Sequence, residues 1–104
     1  MISSKNLEAI AQKTLNHIVD QLESQTDLDV DLQGLQLTIC GEMHQTFLLN
    51  FHGPTHQMWL SSPVTGAHHF HWDGTMWFST RTAIALNEIL SADIRQLFSE
   101  IVKL

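Results

Sequence analysis

The sequence predicts an α+β fold, a two-layer sandwich in which an antiparallel sheet of about six strands is covered on one face by N- and C-terminal helices. Three observations support this class. Each end of the chain carries an apolar stripe at helical spacing, the middle region alternates apolar and polar residues, and its segments are joined by short turns. Short turns between successive strands imply an antiparallel meander. We expect residues 1–104 to form a single domain.

The two predicted helices are amphipathic. The first covers about residues 5–24, with Ser4 as its N-terminal cap, and the last covers about residues 84–103. Apolar side chains that recur every three or four residues place one buried face on each helix. In the first helix these residues are Leu7, Ile10, Ala11, Thr14, Ile18 and Leu22, widened by Leu15 and Val19. In the last helix they are Leu86, Ile89, Leu90, Ile94, Leu97, Phe98 and Ile101.

Between the helices the pattern has a period of two, which is typical of strands with one apolar face. Turn residues such as Gly34, Gly53 and Gly74 separate the strands. Six strands are predicted, at about residues 26–32, 35–41, 46–51, 57–61, 68–72 and 76–79. With both helices on one face of this sheet, we expect the other face to remain open to solvent.

Charge and composition exclude several classes of protein. The net charge of −6 at pH 7 argues against nucleic acid as a partner and permits metal cations or basic protein surfaces. No apolar run reaches the roughly 18 residues of a membrane span. Cys40 is the single cysteine, which favours a reducing compartment. The segment from Met1 to Lys5 resembles neither a signal peptide nor a transit peptide, so we expect a bacterial cytoplasmic protein, with a mitochondrial-type organelle as the alternative.

Catalytic motifs are not found in the sequence. No serine lies in a nucleophile-elbow pattern, and no glycine-rich phosphate loop is present. Cys40 follows apolar Ile39 at the end of a strand, where a small hydrophobic role is expected. The seven histidines do not form a constellation that indicates a reaction.

The fourth and fifth strands carry the most informative stretch. Met58 and Leu60 point to one side of the fourth strand, so Gln57 and Trp59 point to the other. A tryptophan on the open side of a sheet is typical of a protein interface. On the next strand, His69 and His71 share the side of Trp59, whereas His68 turns inward. Burial of both sheet faces is the alternative, but it requires alternating strands and helices that this chain lacks.

This stretch also carries a family resemblance. The motif is Gln57-x-Trp59-Leu60-Ser61-Ser62-Pro63-x-x-Gly66, followed by Phe70, Trp72, Gly74 and Trp77. It resembles the frataxin family, whose bacterial form is known as CyaY. The predicted order of one helix, six strands and one helix is also the frataxin arrangement, so the resemblance covers essentially the whole chain.

The resemblance implies a small iron-binding protein that docks on the complex of a cysteine desulfurase with an iron–sulfur scaffold protein and regulates cluster assembly. It implies that Trp59 contacts the scaffold, with Asn50 and Gln57 on the same surface. We add His69 and His71, which strand alternation places on that side. We expect a monomer that is non-enzymatic or weakly iron-oxidising. A ferroxidase or iron-storage frataxin and a metal-independent interaction module are the alternatives.

The expected iron site is an acidic edge formed by Asp20, Glu23, Asp27, Asp29 and Asp31. Iron accepts carboxylate oxygens, and carboxylates two residues apart on a strand share a face about 7 Å apart. That spacing predicts weak binding of a largely hydrated Fe²⁺ or Fe³⁺ ion, and the alternative is a solvated acidic face. The chain departs from the frataxin pattern at His68 and His69, where some relatives carry basic residues. It also departs on the first helix, at positions that are often acidic in relatives and here hold Gln12, Lys13, Asn16 and Ser24.

Overall fold

The computed structural model describes residues 4–43 and 45–104, without the side chain of Ser4. The predicted cap at Ser4 and the segment before it therefore lie outside the description. The helices are α1 (Ser4–Gln25) and α2 (Leu86–Phe98). The strands are β1 (Asp29–Gln33), β2 (Gln36–Cys40), β3 (Thr46–His52), β4 (Gln57–Ser62), β5 (Gly66–Trp72) and β6 (Trp77–Ser79). A short 3₁₀ turn, Gly53–Thr55, joins β3 to β4.

The six strands form one sheet in sequence order, and each pairs antiparallel with its neighbours. The two-layer α+β sandwich is therefore confirmed. In the central register, Asn50 lies opposite Trp59, and Trp59 lies opposite His69. These three residues thus follow one line across β3, β4 and β5. Within the described part of the chain, no helix is both long and apolar enough to cross a bilayer.

The core lies between the sheet and the two helices. The inward residues of β2 to β5 are almost fully buried, and they pack with one face of α1 and one face of α2. Trp77 is 4% exposed and meets the ring of Phe51 edge to face at 6.4 Å, as expected for a core position. The strand β1 is at the sheet edge, and its inward residues Val30 and Leu32 are only half-buried.

The last helix is shorter than predicted. It ends at Phe98 because Ser99 adopts a left-handed conformation (φ 58°), in which its N–H donates to the carbonyl of Arg95. The chain then runs back along α1, where the side-chain amide of Gln25 bonds both the N–H and the carbonyl of Lys103. Ile101, predicted to lie in the buried stripe, is therefore 72% exposed, and Val102 is buried instead.

The first strand also differs from its prediction. It begins at Asp29 because Thr26 directly follows α1 and still bonds its last turn, with its N–H donating to the carbonyl of Leu22 at 2.9 Å. Asp27 consequently precedes the strand instead of sharing a strand face with Asp29 and Asp31.

Candidate functional site

The open face of the sheet, defined here as the outward side of β3, β4 and β5, is not covered by α1 or α2. Alternation along β4 places Met58 and Leu60 in the core at 0% and 2% exposure. Gln57 and Trp59 therefore point outward, and both are half-buried. The expected placement of Trp59 at the centre of this face is what the structure shows, although the side chain is partly covered by its neighbours.

Two imidazoles cover the faces of the Trp59 indole. The ring of His52 lies at a centroid distance of 3.7 Å and the ring of His69 at 4.4 Å, each tilted by 11° from the indole plane. The stack of His52, Trp59 and His69 spans three adjacent strands. Since both indole faces are occupied, the indole edge and the imidazole edges remain to meet a partner.

Hydrogen bonds hold this stack in one orientation. The indole N–H of Trp59 donates to Oε1 of Gln57 at 2.9 Å. On the neighbouring strand, Nδ1 of His52 lies 2.8 Å from the hydroxyl of Thr55 in the turn that follows. An aromatic group that is already oriented loses little conformational entropy when a partner binds.

The five residues predicted for the interface all lie on the open face. Asn50 is directly opposite Trp59. His71 follows His69 by two residues on β5 and lies opposite Phe78 on β6. His52 is the residue that sequence reasoning missed. Its side was predictable, because Phe47, Leu49 and Phe51 alternate inward along β3. Its contact with Trp59 was not, because the pair is diagonal across a hairpin whose register depends on the turn.

The electrostatics of the open face contrast with those of the sheet edge. None of the residues of β3, β4 and β5 is Asp, Glu, Lys or Arg, and their outward side chains around Trp59 are amide, hydroxyl, imidazole and aliphatic groups. The carboxylates of Asp29 and Asp31 are exposed at the edge strand, where the amide of Gln33 donates to Asp31 at 2.9 Å. Asp29 and Asp31 therefore point to the same outward side of the sheet as the stack, and the strand β2 lies between them and the open face.

The acidic edge extends beyond its predicted residues. Asp27 and Asp29 line a cleft of about 390 Å³ together with Glu42, Glu100 and Cys40. Sequence reasoning missed Glu42 and Glu100 because they come from the β2–β3 turn and from the segment after α2. Asp20 and Glu23 are exposed on α1 and do not line this cleft.

The acidic edge fits a hydrated cation better than a caged one. Its carboxylate oxygens are the ligands that iron accepts. Among the described residues, however, no three His, Cys, Asp or Glu side chains converge closely enough to hold a metal ion. The donor chemistry suits iron, and the arrangement leaves most of its coordination to water.

A buried polar cluster lies behind the β4–β5 turn. The carboxylate of Asp93, 4% exposed on α2, accepts hydrogen bonds from Ser62 at 2.7 Å and Thr65 at 2.5 Å. Ser62 Oγ also accepts from the N–H groups of Val64 and Thr65. Two residues of the frataxin-like motif therefore have structural roles. Ser62 bonds the β4–β5 turn to α2, and Gly66 adopts a φ of 88°, which glycine reaches without steric cost.

His68 is part of this cluster and points away from the open face. Its Nε2 lies 2.6 Å from Thr65 Oγ1, and since that hydroxyl gives its hydrogen to Asp93, Nε2 must be the protonated ring nitrogen. Nδ1 is buried and has no hydrogen-bond partner in the described structure. Burial lowers the pKa of His68. The nearby Asp93 carboxylate partly raises this pKa again, and the positive charge of Arg81 lowers it further.

Comparison with known proteins places these features in a family context. The frataxin-like domain family matches residues 1–100. Mitochondrial frataxin from Arabidopsis thaliana is 29% identical over 112 residues, covering all of this chain, and the chain spans 60% of that protein. A frataxin from Psychromonas ingrahamii, of the CyaY protein family, superposes with a TM-score of 0.92 at 26% identity, covering 98% of this chain and 97% of that one. Trimeric frataxin from Saccharomyces cerevisiae, complexed with ferrous iron, gives a TM-score of 0.75 at 29% identity, with 86% of each chain covered.

Proposed function

The chain belongs to the frataxin family, and from this premise we propose that it docks through its open face on a cysteine desulfurase–scaffold complex and regulates iron–sulfur cluster assembly. Family membership supports a role in iron handling and cluster assembly in general. The observation that carries the docking proposal is the Trp59 indole, held between His52 and His69 on a face that the helices leave open.

The physical properties of the open face support docking. Tryptophan is enriched among the residues that contribute most to binding, and such residues are surrounded by a rim that excludes water. Here Asn50, Gln57 and His71 form that rim around the stack. Because β3, β4 and β5 themselves carry no Lys, Arg, Asp or Glu, covering this face would remove few such charges from water. The guanidinium of Arg81 is nearby, where it donates to the carbonyl of Ala67 on β5.

Iron is proposed as cargo that binds at the acidic edge. The carboxylates of Asp27 and Asp29, with Glu42 and Glu100 in the same cleft, would attract Fe²⁺ and hold it with most of its water ligands retained. The yeast frataxin complexed with ferrous iron supports iron binding by this family. Binding at such an open site would be weak and poorly selective among divalent cations.

The proposed form of the protein is a monomer in the bacterial cytoplasm. The similarity to the Psychromonas frataxin supports a bacterial protein of this type. A mitochondrial-type organelle is the alternative, by analogy with the plant relative. Size-exclusion chromatography with light scattering, with and without Fe²⁺, tests the monomer.

The test of docking is a binding titration against a purified desulfurase–scaffold complex. Trp59→Ala should weaken binding by about 2 kcal/mol or more, because it removes the central aromatic group and separates the two imidazoles. Met76→Ala is the matched control, since Met76 is a partly exposed apolar residue that lies away from the open face. Undiminished binding by Trp59→Ala would exclude the open face as the docking surface.

The same titration shows whether docking requires iron bound at the acidic edge. It is repeated with and without Fe²⁺, and with Asp27, Asp29 and Asp31 changed to Asn. Binding that depends on Trp59 and not on these aspartates would identify a docking module that does not need iron at the acidic edge. Loss of iron binding in the aspartate variant, with docking retained, would establish the two surfaces as independent.

A further inference from the structure

A second cavity lies on the helix side of the sheet, away from the stack. It is a cleft of about 580 Å³ between the middle of α1, the β5–β6 turn and the first turn of α2, and Leu104 also lines it. Cavities that bind small molecules in proteins typically measure about 300–1,000 Å³. This helix-side cleft is therefore large enough for a ligand, and none of its lining residues belongs to the open face or the acidic edge.

The walls of the helix-side cleft are apolar and aromatic. The indoles of Trp72 and Trp77 pack against each other at 5.4 Å with an interplanar angle of 57°. Trp72 is half-buried, and Met76 beside it is 37% exposed, so apolar surface faces the cleft. Two aromatic rings and a flexible thioether favour a flat apolar group as the body of a ligand.

Most polar groups in the cleft already have partners. Thr14 Oγ1 donates to the carbonyl of Ile10 at 2.9 Å and accepts from the indole N–H of Trp77 at 3.0 Å. His17 Nε2 lies 3.0 Å from the carbonyl oxygen of Leu104. The hydroxyl of Thr75 donates to Asp73. These groups stabilise the walls of the cleft and leave little polar capacity for a ligand.

Two polar side chains in the cleft remain available. The ammonium of Lys13 has no ion-pair or hydrogen-bond partner among residues 4–43 and 45–104, and the same holds for the side-chain amide of Asn87. No Asp or Glu lines the cleft. A lysine and an amide at an apolar cleft without carboxylates are complementary to an anionic group that accepts hydrogen bonds.

We propose that the helix-side cleft binds a small amphipathic carboxylate, with its flat apolar body against Trp72 and Met76, next to the buried Trp77, and its carboxylate group at Lys13 and Asn87. This site is independent of the docking proposal because it lies across the core from Trp59. Binding there would stabilise the folded protein by mass action, since the unfolded chain has no such cleft.

The three tryptophans allow a direct test by NMR. Naphthaleneacetate is titrated into the protein, and its neutral isostere naphthaleneacetamide is titrated in parallel. We expect saturable shifts of the Trp72 and Trp77 indole N–H signals, with no shift of the Trp59 signal on the opposite face. The acetate should bind about threefold more tightly than the amide, the advantage expected for a charge pair at an exposed lysine.

Charge-matched variants identify the anion site. Lys13→Gln should remove the preference for the acetate and leave the amide unaffected. Lys5→Gln removes the same charge two turns earlier on α1, outside the cleft, and should preserve the preference. The proposal is overturned if the indole signals do not saturate, if Trp59 shifts along with Trp72 and Trp77, or if the two probes bind wild type equally.

Discussion

Trp59 and Trp77 occupy comparable surroundings on opposite faces of one sheet. Each indole N–H donates to a side-chain oxygen, Gln57 for Trp59 and Thr14 for Trp77, and each ring packs against other rings. Only Trp77 is covered by a helix, and it is 4% exposed. Ring packing and a satisfied N–H therefore do not by themselves distinguish a core aromatic from an interface aromatic. What distinguishes them is whether another element of secondary structure covers the ring.

The largest expected effect tests that distinction directly. Trp77→Ala should lower the free energy of unfolding by about 3–5 kcal/mol, because it leaves a cavity beneath α1 and removes the contact with Phe51. Trp59→Ala should cost only about 1 kcal/mol, the amount expected for lost ring pairs on a surface. Urea denaturation of both variants measures the difference. Equal destabilisation would contradict the assignment of Trp59 to an open face.

A smaller effect tests whether the stack belongs to the interface. His52→Ala exposes one face of the Trp59 indole and should weaken binding to the desulfurase–scaffold complex by about 1 kcal/mol, with little change in stability. His56→Asn is the control, because His56 is an exposed histidine of the same turn and asparagine tolerates its φ of 56°. Equal losses of affinity in the two variants would show that the stack has no special role.

The stability of the protein should depend on pH through His68 and not in the same way through its exposed neighbour His69. Burial lowers the pKa of His68 in the folded protein below its ordinary value of 6.5, so the unfolded chain takes up this proton first. The stability contributed by neutral His68 should therefore be complete above pH 6.5 and decrease as the pH falls from there towards the folded pKa. His68→Gln should remove this component from the pH dependence of urea denaturation, whereas His69→Gln should leave it in place. An unchanged pH profile in His68→Gln would contradict the burial of a neutral imidazole.

The smallest effect concerns the acidic edge. Changing Asp27, Asp29 and Asp31 together to Asn should weaken Fe²⁺ binding and raise stability by less than about 1 kcal/mol, because exposed like charges repel only modestly in water. Glu8→Gln, at the other end of α1, is the control and should leave iron binding unchanged. Calorimetric titration with Fe²⁺ under anaerobic conditions measures the binding. Wild-type affinity in the triple variant would place the iron site elsewhere.

Much of the fold could be predicted from local patterns. The alternation from Gln57 to Leu60 assigned each residue of β4 to its correct face, and His68 and His69 were correctly separated in the same way. The helical stripe of α1 predicted its buried side chains. Such predictions work because the period of side-chain direction is a property of the local backbone and does not depend on what the element packs against.

The ends of elements were less predictable. The apolar stripe of α2 continues to Ile101, but the helix stops at Phe98, where the left-handed turn at Ser99 lets the chain return along α1. The first strand likewise starts late, because the N–H of Thr26 is still bonded to the last turn of α1. In both places a tertiary contact or a cap outweighs a local apolar pattern.

Local periodicity and a spaced motif were sufficient to predict the fold class, the faces of the strands and the family. The contacts between different elements could be seen only in the folded protein. The tertiary structure placed His52 on the indole of Trp59, added Glu42 and Glu100 to the acidic edge and brought Asp93 to Ser62 and Thr65. These contacts depend on the exact strand register, on the conformation of each turn and on the position of α2 on the sheet, and the periodicity of the sequence alone does not fix them.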